Sequence, residues 1–304
     1  MKTRLLLLSL LASIATVAPA QEPLPDPRAT LRVGGVERSY ILRLPARPPA
    51  GKPLPLVLVL HGGGGNADYA ERMTGFTPLA MQEGFAVAYP EGSSRFRGRL
   101  LTWNARHCCG YAMENKVDDV AFIDALISHL IAEHGIDPRR VYVTGMSNGG
   151  MMAHQLGIAL SHRIAAIAPV VGALFGDEVQ AAHPVAALMI NGELDRSVPF
   201  AGGPPGGRFA SAWDGTPTRP ASEQGSFWAR ANQCAPTPQL TREGSLSRSD
   251  YRCPAGREVT LLALADNGHA WPGGERGTDR ADTPSTTLDA SKAIWQFFRR
   301  HARP

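Results

Sequence analysis

The 304-residue sequence lacks the features that mark several large classes of protein. Its four cysteines do not form the two ligand pairs of a zinc site, although His107 stands directly before Cys108 and Cys109. Its glycine-rich segment lacks both the Gly-Lys-Ser/Thr of a phosphate loop and the glycine spacing of a dinucleotide site. No internal repeat is visible. These absences exclude a metal site and a nucleotide cofactor from our interpretation.

The sequence also lacks a strong net charge and any apolar stretch long enough to span a membrane. An apolar stretch at residues 5–12 follows Lys2 and Arg4, is too short to span a bilayer, and precedes the small residues Ala18-Pro19-Ala20. We therefore predict a secretory signal at residues 1–20, a secreted mature protein and no membrane anchor. Removing the signal leaves 29 basic residues against 27 acidic ones, a formal charge of +2, which argues against a nucleic acid partner.

The remainder, residues 21–304, has the length and apolar content of one large α/β domain. Alternating residues on both sides of Gly34-Gly35 predict an N-terminal antiparallel hairpin. Continuous apolar runs predict a mostly parallel central sheet flanked by helices. The runs are residues 53–60, 84–89, 164–168, 185–190 and 258–264. Asp118 and Asp119 are predicted to cap a long helix, and an amphipathic helix carrying Trp295 is predicted near the C terminus.

The most informative segment is residues 140–150, a β-branched strand that ends in Gly145-Met146-Ser147-Asn148-Gly149 and continues into helix-forming residues. A serine at such a strand-to-helix turn projects its hydroxyl above the sheet, and the flanking glycines allow strand and helix to approach closely. We therefore predict Ser147 as a nucleophile.

A nucleophilic serine needs donors for the developing oxyanion. The apolar run at residues 53–60 leads into His61-Gly62-Gly63-Gly64-Gly65, whose backbone N–H groups have little steric cover. We predict Gly63 as the first donor, with Gly64 as the alternative. The second predicted donor is the N–H of Asn148, the residue after the nucleophile.

The acid and the base are predicted on loops that follow later strands. Asp195 follows the run at residues 185–190, and His269 follows the run at residues 258–264, so the chain order is Ser, Asp, His. Glu193 is the main competitor for the acid. Weaker competitors are Asp177, Asp214 and Asp266. The other histidines have structural explanations, including His61 before the glycine loop.

These motifs resemble the polyhydroxybutyrate depolymerase and feruloyl esterase family, which overlaps carbohydrate esterase family one. The resemblance covers nearly the whole mature chain, and residues 136–150 are its most specific part. It implies an α/β-hydrolase fold and hydrolysis of carboxylic esters without metal or organic cofactor. The resemblance does not fix the acid or the alcohol of the ester, and we expect a polyester oligomer or a plant cell-wall ester. Acetyl-carbohydrate esterase is the alternative, ahead of serine peptidase or a non-catalytic binding homologue.

Three features concern the surroundings of the predicted site. Trp271, Trp103 and Tyr111 are predicted to line a substrate pocket, with structural packing as the alternative for Trp103 and Tyr111. Cys234 and Cys253 are predicted to form a disulfide, whereas Cys108 and Cys109 could join each other, stay reduced or pair with the other two. The Gly/Pro-rich residues 201–219 are either a flap facing the substrate or, slightly favoured, a surface insertion.

Overall fold

The computed structural model describes residues 28–46, 52–96, 98–207 and 210–304. The predicted signal at residues 1–20 lies outside these ranges. No helix within them is long and apolar enough to cross a membrane.

The described chain forms a ten-stranded sheet. The strands are β1 (Arg28–Val33), β2 (Val36–Arg43), β3 (Leu54–Leu60), β4 (Ala86–Pro90), β5 (Ile136–Met146), β6 (Ala166–Val170), β7 (Ala186–Gly192), β8 (Gln239–Glu243), β9 (Leu246–Tyr251) and β10 (Val259–Leu264). Their order is β1-β2-β4-β3-β5-β6-β7-β10-β9-β8. The six central strands from β4 to β10 are parallel, and two antiparallel strands extend each edge. The predicted mostly parallel sheet with an N-terminal hairpin is confirmed.

Helices cover both faces of this sheet. They are α1 (Ala67–Thr74), α2 (Phe76–Glu83), α3 (Gly110–Glu114), α4 (Asp119–His134), α5 (Asn148–Ala159), α6 (Ala221–Ala231) and α7 (Ala290–Phe298). Buried residues of α4, α5 and α6 form one apolar cluster, and those of α1, α2 and α7 form a second. Fully buried strands such as β3 and β7 need this double cover, which explains their continuous apolar runs.

Two elements differ from the sequence-based expectations. Asp118 caps α4 by accepting a hydrogen bond from the Ala121 N–H, but Asp119 does not act as a cap. Its carboxylate is buried, pairs with Arg38 at 2.7 Å and accepts the Asn104 N–H at 2.8 Å. The β8–β9 hairpin was not predicted, because β8 is an edge strand whose residues are all exposed and carry no apolar pattern.

Both cysteine pairs are joined in the structure. The disulfide between Cys234 and Cys253 links the end of α6 to the end of β9 and so closes the segment that carries the hairpin. Cys108 and Cys109 are joined to each other, which selects one of the three arrangements considered for them.

Candidate active site

The turn between β5 and α5 presents the Ser147 side chain above the sheet. Ser147 has φ 57° and ψ −122°, a positive-φ conformation that non-glycine residues rarely adopt, and its N–H donates to the Val170 carbonyl at 2.9 Å. A Cβ at Gly149 would lie 2.5 Å from the carbonyl oxygens of Leu60 and His61. The glycine pattern is therefore required by the close approach of α5 to β3.

Ser147, His269 and Asp195 are connected by a chain of two hydrogen bonds. The Nε2 atom of His269 is 2.9 Å from Ser147 Oγ, and its Nδ1 atom is 2.8 Å from Asp195 Oδ2. The three residues follow β5, β7 and β10, whose carboxyl ends share one edge of the parallel sheet. This is the arrangement in which an imidazole can take a serine proton while a carboxylate holds its tautomer.

The environment of Asp195 suits an orienting carboxylate. Its side chain is 2% exposed, against 20% for His269, so the acid is shielded while the imidazole faces the surface. Its Oδ1 atom accepts the N–H groups of Ser197 and Val198, each at 2.8 Å, which leaves Oδ2 directed at His269.

The competing acids have other surroundings. Glu193 is exposed, Asp266 accepts a hydrogen bond from Thr287, and both Asp177 and Asp214 contact His107.

One carboxylate near His269 could not be predicted from the sequence. Asp282 accepts the backbone N–H of His269 at 2.7 Å and so supports the loop, but it stands in a segment without any motif that could have indicated it.

The hydrogen bonds of the glycine loop distinguish Gly63 from Gly64, the two candidates for the first oxyanion donor. The Gly64 N–H donates to the Leu101 carbonyl at 2.8 Å and is therefore occupied. Within the described ranges, no acceptor is bonded to the Gly63 N–H. A Cβ at Gly63 would lie 3.6 Å from Asn148 Cβ, so Gly63 adjoins the first residue of α5, where N–H groups lack partners inside the helix.

The Asn148 side chain ties the nucleophile turn to a neighbouring loop. Its Oδ1 accepts the Trp103 N–H at 2.8 Å, and its Nδ2 donates to the Trp103 carbonyl at 3.0 Å. The indole N–H of Trp103 donates in turn to the His61 carbonyl at 3.0 Å. One buried network thus connects the residue after Ser147 to the start of the glycine loop.

The predicted pocket role of Trp103 is therefore wrong. Its side chain has no exposed area, because it is buried beneath the glycine loop with its ring centroid 5.0 Å from that of His61. His61 accepts the Gly92 N–H, and burial lowers its pKa to about 4, so the imidazole is neutral and structural.

Trp271 is also buried rather than placed on an open cleft wall. It is 1% exposed, its indole N–H donates to Ser291 Oγ at 3.0 Å, and its ring packs edge-on against Phe76. It lines a small cavity of about 10 Å³ together with His269 and Met146, which is enough space for a single water. Tyr111 is partly exposed on α3, so its predicted pocket role stays a prediction.

This set of groups has the composition needed for nucleophilic catalysis: a serine hydroxyl, an imidazole and a shielded carboxylate, with Gly63 and Asn148 as candidate oxyanion donors. In the part of the chain that the structure describes, no group of three or more His, Cys, Asp or Glu side chains is placed to hold a metal ion.

The sheet, the helices on both faces and the nucleophile turn define an α/β-hydrolase fold. Residues 38–203 match the family described as esterase PHB depolymerase, and the chain belongs to that family, a group of carboxylic-ester hydrolases.

Individual relatives agree with this placement. The chain is 28% identical over 249 residues to "Feruloyl esterase B" of Piromyces equi, with 80% of this chain and 44% of that protein covered. It is 30% identical over 271 residues to "Putative esterase NocK" of Nocardia uniformis subsp. tsuyamanensis, with 84% and 77% covered. The chain thus spans less than half the length of the Piromyces protein.

A solved structure shows the same fold. The acetyl xylan esterase from Aspergillus awamori superposes with a TM-score of 0.58 over 80% of this chain and 94% of that one. The sequence identity is 15%, so the likeness concerns the fold alone.

Proposed function

We propose that the protein is an exported serine esterase that hydrolyses carboxylic esters through an acyl-enzyme. The observation that carries the proposal is the continuous chain from Ser147 Oγ through His269 to Asp195, with distances of 2.9 and 2.8 Å. Membership of an esterase family and the α/β-hydrolase fold support it.

The proposed reaction has two halves. His269 Nε2 takes the Ser147 proton as Oγ attacks the ester carbonyl carbon, and the oxyanion accepts the N–H groups of Gly63 and Asn148. Collapse of this intermediate breaks the bond to the alcohol, which leaves with the proton from His269. A water then gives a proton to His269 and attacks the acyl carbon. The bond from that carbon to Ser147 Oγ breaks, His269 returns the proton to Oγ, and the acid is released.

The proposed substrates are polyester oligomers or plant cell-wall esters of hydroxycinnamic acids. The family description and the printed name of the Piromyces relative support these two classes. Export is proposed on the predicted signal at residues 1–20, and the two disulfides suit an oxidising compartment. We propose residues 21–304 as one catalytic domain, whose N-terminal sequence after export would begin at Gln21.

A substrate panel tests the function directly. We expect hydrolysis of short acyl esters and of methyl ferulate or hydroxybutyrate oligomers, with little action on triolein. A serine-directed phosphonate should abolish the activity and add its mass to the peptide that contains Ser147, whereas EDTA should have no effect. Acetylated xylan as the sole good substrate would favour the acetyl esterase alternative. Labelling at another residue would reject Ser147 as the nucleophile.

The hydrogen bonds between Asn148 and Trp103 lead to a second prediction, which concerns the effect of the Asn148 side chain on kcat. Asn148→Ala keeps the backbone N–H proposed as an oxyanion donor but removes both hydrogen bonds that fix its position relative to the glycine loop. We expect kcat to fall by about 10- to 100-fold with KM changed by less than about threefold, since the oxyanion forms only during reaction.

Steady-state kinetics measure this effect, and Gln296→Ala is the control because that residue is exposed on α7. An unchanged kcat in Asn148→Ala would show that the side chain does not position the donor. A loss confined to KM would assign the side chain to substrate binding instead.

A further inference from the structure

Residues 210–219, which we call the Trp213 segment, run beside the candidate active site. The backbone of Trp213 forms an isolated antiparallel β-bridge with Cys108, and the Asp214 N–H donates to the His107 carbonyl at 3.2 Å. Cys108 Sγ lies 3.6 Å from the Asn148 Nδ2 atom. Cys108 thus contacts both Trp213 and Asn148, the residue that follows the nucleophile.

The Trp213 side chain differs from the two buried tryptophans described above because it is partly exposed. Its ring stands edge-on to Phe175, with centroids 6.0 Å apart. Phe175 belongs to the loop that follows β6, the strand whose Val170 carbonyl accepts the Ser147 N–H. An aromatic surface is thus present at the same edge of the sheet as Ser147.

Ionic contacts hold the Trp213 segment to two other loops. His107 Nδ1 is 2.7 Å from Asp214 Oδ2 and 3.1 Å from Thr216 Oγ1, and His107 Nε2 is 3.0 Å from Asp177 Oδ2. Arg106 also pairs with Asp177 at 2.7 Å. We call Arg106, His107, Asp177 and Asp214 the histidine clasp; Glu178 is the further charged group that acts on it, through Arg106.

Other contacts anchor the region near the proposed acid. The Gly206 N–H donates to the Ser197 carbonyl at 3.1 Å, and Ser197 itself donates to Asp195. At the far end, the Arg219 N–H donates to the Leu174 carbonyl at 2.8 Å. The Gly/Pro-rich region is therefore attached on both the acid side and the oxyanion side of Ser147, as a cleft wall would be.

We propose that Trp213 forms a wall of the substrate cleft that favours esters of planar aromatic acids, and that the histidine clasp positions this wall. The proposal rests on the esterase function proposed above. A partly exposed indole on a segment that is linked through Cys108 to Asn148 offers an apolar face on which an aromatic acid can stack, whereas an acetyl group is too small to use it. Trp213 is thus a specificity-determining residue, and His107 and Asp214 are positioning residues.

Two p-nitrophenyl esters that share a leaving group, the acetate and a hydroxycinnamate, test the role of Trp213. In Trp213→Ala we expect kcat/KM for the hydroxycinnamate to fall about tenfold through KM, with the acetate changed by less than about twofold. Trp213→Phe should restore most of the loss. Leu240→Ala removes an exposed apolar side chain on the distant strand β8 and should leave both esters unchanged.

The outcomes separate this proposal from the esterase function. Equal losses on both esters, or no loss on either, would reject the specificity role of Trp213 but would not affect the proposed esterase function. A wild-type protein that hydrolyses neither ester would reject the esterase function itself, and a Ser147→Ala variant that hydrolyses both would reject Ser147 as its nucleophile.

The clasp is tested through pH. Burial lowers the pKa of His107, but hydrogen bonds to Asp214 and Asp177 outweigh it, and the net shift is upward. The folded pKa is therefore above the unfolded one, so while Asp177 and Asp214 are ionised the stabilisation is complete below the unfolded pKa and is lost as pH rises through the folded pKa. Above it, His107 keeps one N–H and can donate to only one of the two carboxylates.

We accordingly expect the ratio of kcat/KM for the hydroxycinnamate to that for the acetate to fall as pH rises through the His107 pKa. Effects on the catalytic step that both esters share cancel in this ratio. Asp214→Asn should lower the ratio and shift its pH step downward, whereas Glu243→Gln on the exposed strand β8 should change neither. A ratio that is independent of pH, or unchanged in Asp214→Asn, would overturn the positioning role of the clasp.

Discussion

Replacing Ser147 with alanine is expected to lower kcat for ester hydrolysis by about 10⁴- to 10⁶-fold. The Ser147 hydroxyl lies 2.9 Å from His269 Nε2 and is the group placed to attack an ester carbonyl. Without it, the imidazole, the carboxylate and the two backbone donors remain, but no acyl-enzyme can form. A small residual rate would come from water that attacks substrate held at the oxyanion donors.

Loss of the fold would give the same result, so stability must be measured beside activity. The Ser147 side chain makes no hydrogen bond in the described structure other than the one with His269, and alanine has almost the same size. We expect the Tm and the circular dichroism spectrum to stay close to those of the wild type. Ser222→Ala, on the exposed face of α6, is the matched control and should keep full activity. Residual activity above about a tenth in Ser147→Ala would place the nucleophile elsewhere.

The sequence predicts the central sheet and the positions of the triad residues because both depend on local patterns. Strands buried on both faces appear as continuous apolar runs, and parallel strands bring their following loops to one edge. Ser147, Asp195 and His269 each follow such a run, so their meeting in space could be predicted without knowing the helices.

Burial of individual side chains could not be predicted in the same way. Trp271 stands in a Gly/Pro-rich loop two residues after His269, and Trp103 stands in a polar loop, settings that are typical of exposed aromatics in a cleft. Their burial depends on remote partners: the His61 carbonyl beneath the glycine loop for Trp103, and Ser291 on α7 for Trp271. Neither partner has a signal in the sequence around the tryptophan.

The same limit applies to polar pairs. Asp119 stands where a helix cap is expected, but Arg38, which lies 81 positions away in the chain, makes it a buried ion-pair residue. The attachment of the Gly/Pro-rich region through His107 and Asp214 is equally non-local, since 107 positions separate the two residues. Such pairings arise from the topology of the sheet and are visible only once the fold is known.

Asp195→Asn is expected to reduce kcat by about 10⁴-fold, nearly as much as loss of the nucleophile. Oδ1 of Asp195 accepts two backbone N–H groups, from Ser197 and Val198, so the amide oxygen of an asparagine would take that place. Its NH₂ group would then face His269 Nδ1 and donate to it. The imidazole would have to accept at Nδ1 and carry its proton on Nε2, so it could not take the Ser147 proton.

Nitrogen NMR of the imidazole and steady-state kinetics together check this argument. We expect the His269 proton to move from Nδ1 in the wild type to Nε2 in Asp195→Asn, with KM changed by less than about threefold because substrate contacts are not altered. Glu193→Gln is the control, since that carboxyl group is exposed two residues before Asp195 and should cost less than about twofold. A large loss in Glu193→Gln with a mild effect in Asp195→Asn would assign the orienting acid to Glu193. An unchanged tautomer in an inactive Asp195→Asn would show that the carboxylate acts through its charge rather than by orienting the imidazole.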